Sequence, residues 1–424
     1  MKNLIFAEFL LAGVSAFAAI PEVTSVSYSQ GSRRVVKIAY TLDADAIITA
    51  DVLIDGVSVG VAALTNLTGD VNCLVKAGDG EIQWDIRAAL PGHADITTDS
   101  VRVALTAWPK TNPPDYLVAD LSAENTDVPR YYTSLEALPG GLMSNPVYRE
   151  SKIVLKRVHA AGQSFVCGAT GGRDRPDKGY PAFSASVRLP ADYYLGVFEV
   201  TQQQMTEAGC VKTSGWNFKT GDHPGWKPCA GTAYYRVREN PDNVADSDHV
   251  YPKNPHDQSY LGLLRARSRV AFDLPSESQY EFAARAGYPT GYWGDGKLYD
   301  FQADEDPNFS GCYAGSGGRE TYADECGFHG FNSFGFADMG GNVREITLDG
   351  YLADPTTDST FVDGEPHVDP SLTSCVAKAG SWNNWAYGCY PWSRVSVEKD
   401  SGSTYDGFRV AAPLDAECSE EDDR

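Results

Sequence analysis

The first quarter of the chain alternates apolar and polar residues with the period of a β-strand. Residues 35–42, VVKIAYTL, place an apolar side chain at every second position, which is the pattern of a strand with one buried face. Asp55 and Gly56 lie between two apolar runs and predict a hairpin turn, because both turn positions need a positive φ. The segments IQWDI and SVRVALTAW alternate similarly. We predict an all-β sandwich of immunoglobulin or fibronectin type over residues 19–108, serving as a spacer or adhesive module.

The pattern changes after this module. The prolines of PKTNPPDY, from Pro109 onward, disfavour both a helix and a central strand, so we assign residues 109–150 to a linker. Residues 151–415 then form a second domain of short strands, long loops and few helices, in keeping with the 41 glycines and 24 prolines of the chain. Residues 416–424 form an acidic tail that we expect to be solvated, because like charges repel each other.

Three helices are predicted in the second domain. Thr201 and Ser276 are each followed three residues later by a glutamine, which is the pattern of a capping box at a helix start. The Asn-Pro dipeptide at 254–255 predicts the start of another helix, with Leu261 and Leu264 on its buried side.

The chain begins with a segment typical of export. MKNLIFAEFLLAGVSAFAA carries Lys2, an apolar run and an Ala-Phe-Ala site that ends at Ala18, as a secretory signal peptide does. The run is shorter than the ~20 residues that cross a bilayer, and we find no other candidate span. We therefore predict a signal peptide at residues 1–18 and a mature protein that is secreted, periplasmic or attached to the cell surface.

Charge and cysteine content limit the partners and the covalent structure. A formal net charge of −22 argues against nucleic acid as a partner, because phosphates are bound by clustered Lys and Arg. Export permits disulfides, and nine cysteines leave at least one outside an internal pair. Cys210 with Cys229 and Cys312 with Cys326 are candidates for short-loop disulfides.

Four stretches of the second domain are distinctive. They are DYYLGVFEVTQQQM from Asp192, FDLPSESQYEFAARAG from Phe272, NSFGFADMGGNVREIT from Asn332, and AGSWNN through GFRV, which ends at Val410. In this order they resemble the formylglycine-generating-enzyme family, also called sulfatase-modifying factors, and KIVLKRVHAAGQSFVCGA from Lys152 resembles the family's opening strand pair. The resemblance covers nearly all of the second domain and implies an α+β, C-type-lectin-like fold with few regular elements.

The segment ADMGGNVRE combines two carboxylates with glycines and an asparagine. Calcium takes about 6–8 oxygen ligands and accepts backbone carbonyls, and glycine permits the tight path that aims carbonyls inward. The resemblance implies calcium bound by the side chains of Asp338 and Glu345 and the carbonyls of Gly341 and Val343, with a second calcium near Asn308 and Phe309. The alternative is a turn in which both carboxylates only accept backbone hydrogen bonds.

The resemblance also bears on copper. Oxidising members of the family hold copper(I) between two cysteines, whereas this chain has Asn384 at the first position and Cys389 at the second. An amide is a hard, neutral ligand that suits copper(I) poorly, so the family's copper site is half missing. Ser381 aligns with an active-site serine of the family, and we expect Arg409 to pair with an internal carboxylate. Cys375 could replace the missing copper ligand or pair with Cys389 in a disulfide, and export favours the disulfide.

Aromatic residues are dense in the same segment. Trp385, Tyr387 and Tyr390 lie between Trp382 and Trp392, and rigid amphipathic rings suit a protein or glycan ligand. The alternative is that the two flanking tryptophans belong to the core and only residues between them are exposed.

We therefore predict an exported, calcium-supported binding domain with Asn384, Trp385, Tyr387 and Tyr390 as ligand contacts. One alternative is a copper- and oxygen-dependent oxidase that converts a sulfatase cysteine to formylglycine, using Cys389 and Ser381. Another is a ligand-display protein diversified by a retroelement, because the segment also resembles the variable C-terminal region of such proteins.

Overall fold

The computed structural model describes residues 20–30, 34–60, 64, 66–89, 101–122, 128–169, 183–211, 223–243, 248–288, 322–384 and 386–417. The predicted signal peptide and nearly all of the acidic tail lie outside these residues. Within the described ranges, every helix is too short or too polar to cross a bilayer.

The N-terminal module consists of two antiparallel sheets. Its strands are β1 (Val23–Gln30), β2 (Val35–Leu42), β3 (Ala46–Ile54), β4 (Val57–Ser58), β5 (Leu67–Gly69), β6 (Leu74–Val75), β7 (Gly78–Asp85) and β8 (Val101–Trp108), with a short helix α1 (Ile86–Ala89) after β7. The first sheet has the order β1-β2-β7-β5, and in the second sheet β3 pairs with β4, β6 and β8. The module is therefore all-β, as the alternating pattern predicts.

The predicted alternation fills the core of this module. Along β2, Ile38, Tyr40 and Leu42 are buried and pack with Ile82 and Trp84 of β7 in one hydrophobic cluster. The turn between β3 and β4 has positive φ at both of its central residues, 52° at Asp55 and 80° at Gly56. The predicted hairpin is confirmed.

The second module contains two larger sheets and a two-stranded ribbon. Its strands are β9 (Tyr116–Asp120), β10 (Arg130–Tyr132), β11 (Lys152–Val158), β12 (Ser164–Gly168), β13 (Ser184–Arg188), β14 (Tyr193–Gly196), β15 (Arg344–Gly350), β16 (Ser374–Lys378), β17 (Arg394–Glu398), β18 (Asp406–Gly407) and β19 (Ala411–Ala412). The sheet orders are β10-β9-β11-β14-β19 and β17-β16-β15-β18, and β12 pairs with β13.

The segment predicted as a linker contributes two of these strands. β9 pairs with β11 along its whole length, and β10 pairs with β9. Leu117, Ala119 and Leu121 are completely buried in the largest hydrophobic cluster among the described residues. The prolines at 109, 113 and 114 precede β9, so they leave its hydrogen-bonding ladder intact, and residues 116–120 and 130–132 belong structurally to the second module.

Helices in the described residues are short. They are α2 (Val147–Glu150), α3 (Gln202–Glu207), α4 (Tyr234–Val237), α5 (Tyr260–Ser268), α6 (Glu277–Arg285) and α7 (Ser359–Val362), with 3-10 turns at Leu135–Ala137, Pro224–Trp226, Pro355–Thr357 and Ala386–Cys389. Capping boxes at Thr201 and Ser276 start α3 and α6 as predicted. The predicted start at 254–255 is wrong, because α5 begins after Ser259, whose side chain accepts a hydrogen bond from the Gly262 amide.

The described cysteines are buried thiols. No disulfide joins any of the seven that the structure describes, so the predicted Cys210–Cys229 and Cys375–Cys389 pairs are absent, and Cys326 is also a thiol. Cys210, Cys229 and Cys375 pack in the largest cluster, where a thiol behaves as a small apolar side chain. Cys312 lies outside the described residues.

The Ser259 cap provides a test of the local folding argument. We expect Ser259→Ala to lower the free energy of unfolding by about 1 kcal/mol, because the Gly262 amide loses its side-chain acceptor. The measurement is chemical denaturation. Gln258→Ala, an exposed change one residue outside the cap, is the matched control, and equal losses in both variants would contradict the assigned cap.

Candidate functional site

A buried ion pair joins the segment between β18 and β19 to strand β15. The Arg409 guanidinium donates from Nε to Oε2 of Glu345 at 2.6 Å and from Nη2 to Oε1 at 2.7 Å, and both side chains are completely buried. The remaining guanidinium hydrogens reach the carbonyls of Gly196 at 3.0 Å and Ala337 at 2.9 Å. Burial opposes the charge on Arg409, but the adjacent Glu345 raises its pKa overall. The expected pairing of Arg409 with an internal carboxylate is confirmed.

Two further buried carboxyl groups lie beside this pair. Glu199 lies between β14 and α3. Its carboxylate accepts hydrogen bonds from the Asn342 amide at 2.6 Å and the Val343 N–H at 3.2 Å. Burial and then the charges of Asp338 and Glu345 raise the pKa of Glu199 well above its usual range. Burial also raises the pKa of Asp338, whose Oδ1 has no hydrogen-bond partner.

The calcium ligands implied by the family resemblance can be compared with this geometry. The turn is tight as expected, with positive φ at Asp338, Gly341 and Asn342. However, both oxygens of Glu345 already accept hydrogen bonds from a guanidinium, and a cation at those oxygens would face the positive charge of Arg409. Among the described residues, no group of three or more His, Cys, Asp or Glu side chains is arranged to hold a metal ion. Glu345 as placed therefore does not fit a calcium ligand, and calcium binding stays a prediction.

The second implied calcium site cannot be compared in the same way. Asn308 and Phe309 lie outside the described residues. The nearby acidic stretch ETYADE offers Asp324 as a further carboxylate for that site, and Asp324 pairs with His329 at 2.8 Å.

Asn384, which the family resemblance aligns with the first copper cysteine, closes a turn. Its Oδ1 accepts hydrogen bonds from the Ser381 N–H at 3.0 Å and the Ser381 hydroxyl at 2.9 Å. Ser381 itself is buried. The serine and the asparagine are therefore brought together, but as a turn that uses the amide oxygen and the hydroxyl in a structural hydrogen bond.

Cys389, at the second copper position, ends a 3-10 turn and is completely buried. Its sulfur lies 3.9 Å from the Ser381 carbonyl oxygen. Burial raises the pKa of the Cys389 thiol, so the neutral thiol is favoured over the thiolate that binds copper(I). Burial likewise raises the pKa of Cys375, whose charged neighbours are Lys399, Asp406 and Glu239. These residues do not fit a two-thiolate copper site.

The predicted aromatic contacts separate into core and surface. Tyr390 is buried and stacks on the buried Trp392, with ring centroids 4.1 Å apart, so its prediction as a ligand contact is wrong: it fills the core. Trp385 and the side chain of Tyr387 lie outside the described part of the chain. Trp382 is half-buried, and its ring lies 5.1 Å from that of Tyr405.

Two residues missed in the sequence complete this surface. The Arg344 guanidinium lies 5.7 Å from the Tyr405 ring centroid and pairs with Asp406, with Nε 2.7 Å from Oδ1. The Trp382 indole N–H contacts the Thr404 carbonyl at 3.4 Å. We call Trp382, Asn383, Tyr405 and Arg344 the C-terminal aromatic surface.

The comparisons with known proteins agree with the motifs. A family model described as "Sulfatase-modifying factor enzyme 1-like domain" matches residues 150–414. The chain belongs to this formylglycine-generating-enzyme-like family, and its α+β fold has the all-β module in front. A comparison with curated proteins found no significant match.

Solved structures that are similar to this chain include three that each cover 61–62% of it. PvdO from Pseudomonas aeruginosa is 18% identical, with a TM-score of 0.47 over 61% of this chain and 94% of that one. Treponema denticola variable protein 1 is 20% identical, with a TM-score of 0.46 over 62% and 95%. CarF is 16% identical, with a TM-score of 0.38 over 61% and 98%.

The buried Arg409–Glu345 pair leads to one prediction about the stability of a variant and another about the effect of removing metal ions. Arg409→Met should lower the free energy of unfolding by about 3–5 kcal/mol, because it leaves buried carboxylates without their counter-charge. Arg344→Met removes a partly exposed pair and should cost less. Both are measured by chemical denaturation.

Chelation tests the same geometry. Because Arg409 already neutralises Glu345, we expect EDTA to leave the Tm of the wild-type protein unchanged. A fall in Tm that added calcium restores would contradict this expectation and show that calcium binds the folded protein.

Proposed function

We propose that this chain is a member of the family that binds a protein partner rather than oxidising a cysteine. The observation that carries the proposal is the turn at Ser381, in which the Asn384 amide oxygen accepts two hydrogen bonds at the position where a copper thiolate is required. The predicted signal peptide leads us to propose that it does so after export.

The chemistry of the turn supports a loss of oxidation. A copper(I) ion prefers soft sulfur donors, and the oxygen of Asn384 is both hard and already engaged with Ser381. The remaining thiol, Cys389, is buried and has a raised pKa. One neutral thiol and one amide oxygen that already accepts hydrogen bonds do not supply the negative charge and the two soft sulfur donors of a thiolate pair.

The C-terminal aromatic surface supports binding. Trp, Tyr and Arg are enriched among the residues that contribute most to protein–protein affinity. Here they come from three separate segments, at 344, 382–383 and 405, and the contacts among Arg344, Trp382 and Tyr405 hold them in one place. Asn383 is exposed beside them and can add an adaptable hydrogen bond.

Turnover with copper is the first test. Purified protein supplied with copper and oxygen should leave the cysteine of a sulfatase-motif peptide unmodified, as measured by mass spectrometry of the peptide. Asn384→Cys restores the second sulfur at the family's position, and Asn383→Cys places one at the exposed neighbouring residue as the matched control.

Conversion of the peptide by the wild-type protein, abolished in Cys389→Ser, would establish the oxidase alternative and overturn the proposal. We expect anaerobic copper(I) titration to give tighter binding in Asn384→Cys than in wild type or Asn383→Cys, because only the first variant offers two sulfurs near Ser381.

Partner binding is the second test. Peptides selected against the wild-type protein from a random-peptide display library should lose at least tenfold in affinity for the Trp382→Ala/Tyr405→Ala variant, because rigid aromatic contacts dominate such interfaces. Tyr28→Ala removes an exposed aromatic residue of the N-terminal module and is the control. Unchanged affinity in the double variant, with its Tm preserved, would exclude this surface as the binding site.

A further inference from the structure

A cavity of about 270 Å³ lies where the N-terminal module meets the second module. One wall comes from β3 and β8, on the side that includes Thr49, Asp51 and Thr106, and the other comes from Tyr132 at the end of β10 and from Thr133 and Ala137 after it. Pockets for drug-sized ligands measure about 300–1,000 Å³. The cavity therefore has room for a small ligand, on the scale of one sugar ring.

The two walls are held together by backbone hydrogen bonds through one residue. The Asn72 N–H donates to the Ile48 carbonyl of β3, and its carbonyl accepts from the Tyr131 N–H of β10, both at 2.6 Å. Asn72 has a positive φ of 56°, a conformation that Asn tolerates better than most residues. Arg130 adds a bond from Nη1 to the Val71 carbonyl at 2.9 Å. These bonds fix the cavity between the modules, and Asn72 borders it.

The polar groups that line the cavity are oriented. The Asp51 Oδ1 accepts from the Val52 N–H and the Ser58 hydroxyl, both at 2.8 Å, which leaves the second carboxylate oxygen to accept other hydrogen bonds. Thr49 is buried, and its hydroxyl accepts the Trp108 indole N–H at 2.8 Å. That bond fixes the indole ring at the cavity and leaves the Thr49 proton to be donated.

The composition of the wall selects a class of ligand. Asp51 is the one charged side chain among the described residues that line the cavity, so an anionic ligand such as phosphate would meet repulsion and no counter-charge. The hydroxyl, amide and carboxylate groups of the wall make the site too polar for an apolar ligand. Such a ligand would displace water from these groups and offer them no hydrogen bond in return. Two aromatic rings, Trp108 and Tyr132, provide apolar faces in the same space.

A second cavity of about 220 Å³ adjoins the first and shares Tyr132 and Pro139 with it. Asp120, Lys152 and Arg130 line this second space. Asp120 and Lys152 pair with each other at 2.8 Å, and Arg130 donates to the Val71 carbonyl. The shared ring lies where two consecutive units of one ligand would meet.

We propose that the junction between the two modules binds a neutral oligosaccharide, with one sugar ring in the cavity at Asp51, Asn72 and Trp108 and the next ring past Tyr132. Sugar hydroxyls donate to Asp51 and accept from Thr49 and Thr106, and the apolar faces of the rings contact Trp108 and Tyr132. This site is separate from the C-terminal aromatic surface and does not depend on the function proposed for it.

The test measures binding of neutral disaccharides to the full chain. Maltose, cellobiose and lactose are titrated by calorimetry and by saturation-transfer NMR, and at least one should bind. Asp51→Asn keeps the oxygen that holds Val52 and Ser58 and should weaken binding about tenfold, because an ionised acceptor is lost. Thr106→Val keeps the shape of the residue and should weaken it about threefold. Ala137→Trp fills the cavity and should abolish binding.

Matched changes outside the cavity control for general effects. Asp79→Asn and Thr68→Val lie on other strands of the same module and should leave disaccharide binding unchanged. Absence of binding to all three disaccharides overturns the proposal, as does binding that Ala137→Trp retains while its Tm matches wild type. Trp382→Ala/Tyr405→Ala should bind disaccharides normally, so failure here and failure of the proposed protein-binding surface give different results.

Discussion

The second module depends on one buried guanidinium. Arg409 lies between β18 and β19. Its guanidinium donates hydrogen bonds to Glu345 on β15 and to the carbonyls of Gly196 and Ala337. A residue near the C-terminus thus joins segments from the beginning, middle and end of the domain. In a fold with short helices and long loops, such side-chain bonds to backbone carbonyls replace part of the hydrogen bonding that regular elements would supply.

The same strategy recurs beside this pair on β16, where Lys378 is the cross-strand neighbour of Glu345. Lys378 lies between Glu277 at 3.2 Å and Glu281 at 3.0 Å, and Arg394 binds Glu277 at 2.8 Å, with all four side chains buried. Burying charges is costly unless they are paired and hydrogen-bonded. These pairs fix how α6 packs on the sheet, because each charged group has a specific partner, whereas apolar contacts alone would tolerate shifts along the helix.

Sequence reasoning predicted elements better than it predicted partners. Alternation located β2, and the capping boxes located α3 and α6, because both signals are local. Sequence reasoning assigned β9 to a linker, because the nearby prolines obscured the signal of a short apolar strand. The pairing of that strand with β11 is a long-range contact, which a local pattern does not reveal. Sequence reasoning also assigned Glu345 to calcium and Arg409 to an internal carboxylate without recognising that they are each other's partners. Tyr390 and Tyr405 show the same limit, because only the fold decides which tyrosine is buried.

The position of β9 affects how the two modules can be separated. The family match starts at residue 150, yet β11, which begins two residues later, has β9 along one edge. A fragment cut at the boundary of the family match would begin with a strand whose backbone groups on that side lack their neighbour, and it would uncover Leu155 in the core. The region that the family model matches is therefore shorter than the part of the chain that folds together. A domain intended to stand alone has to start ahead of Tyr116.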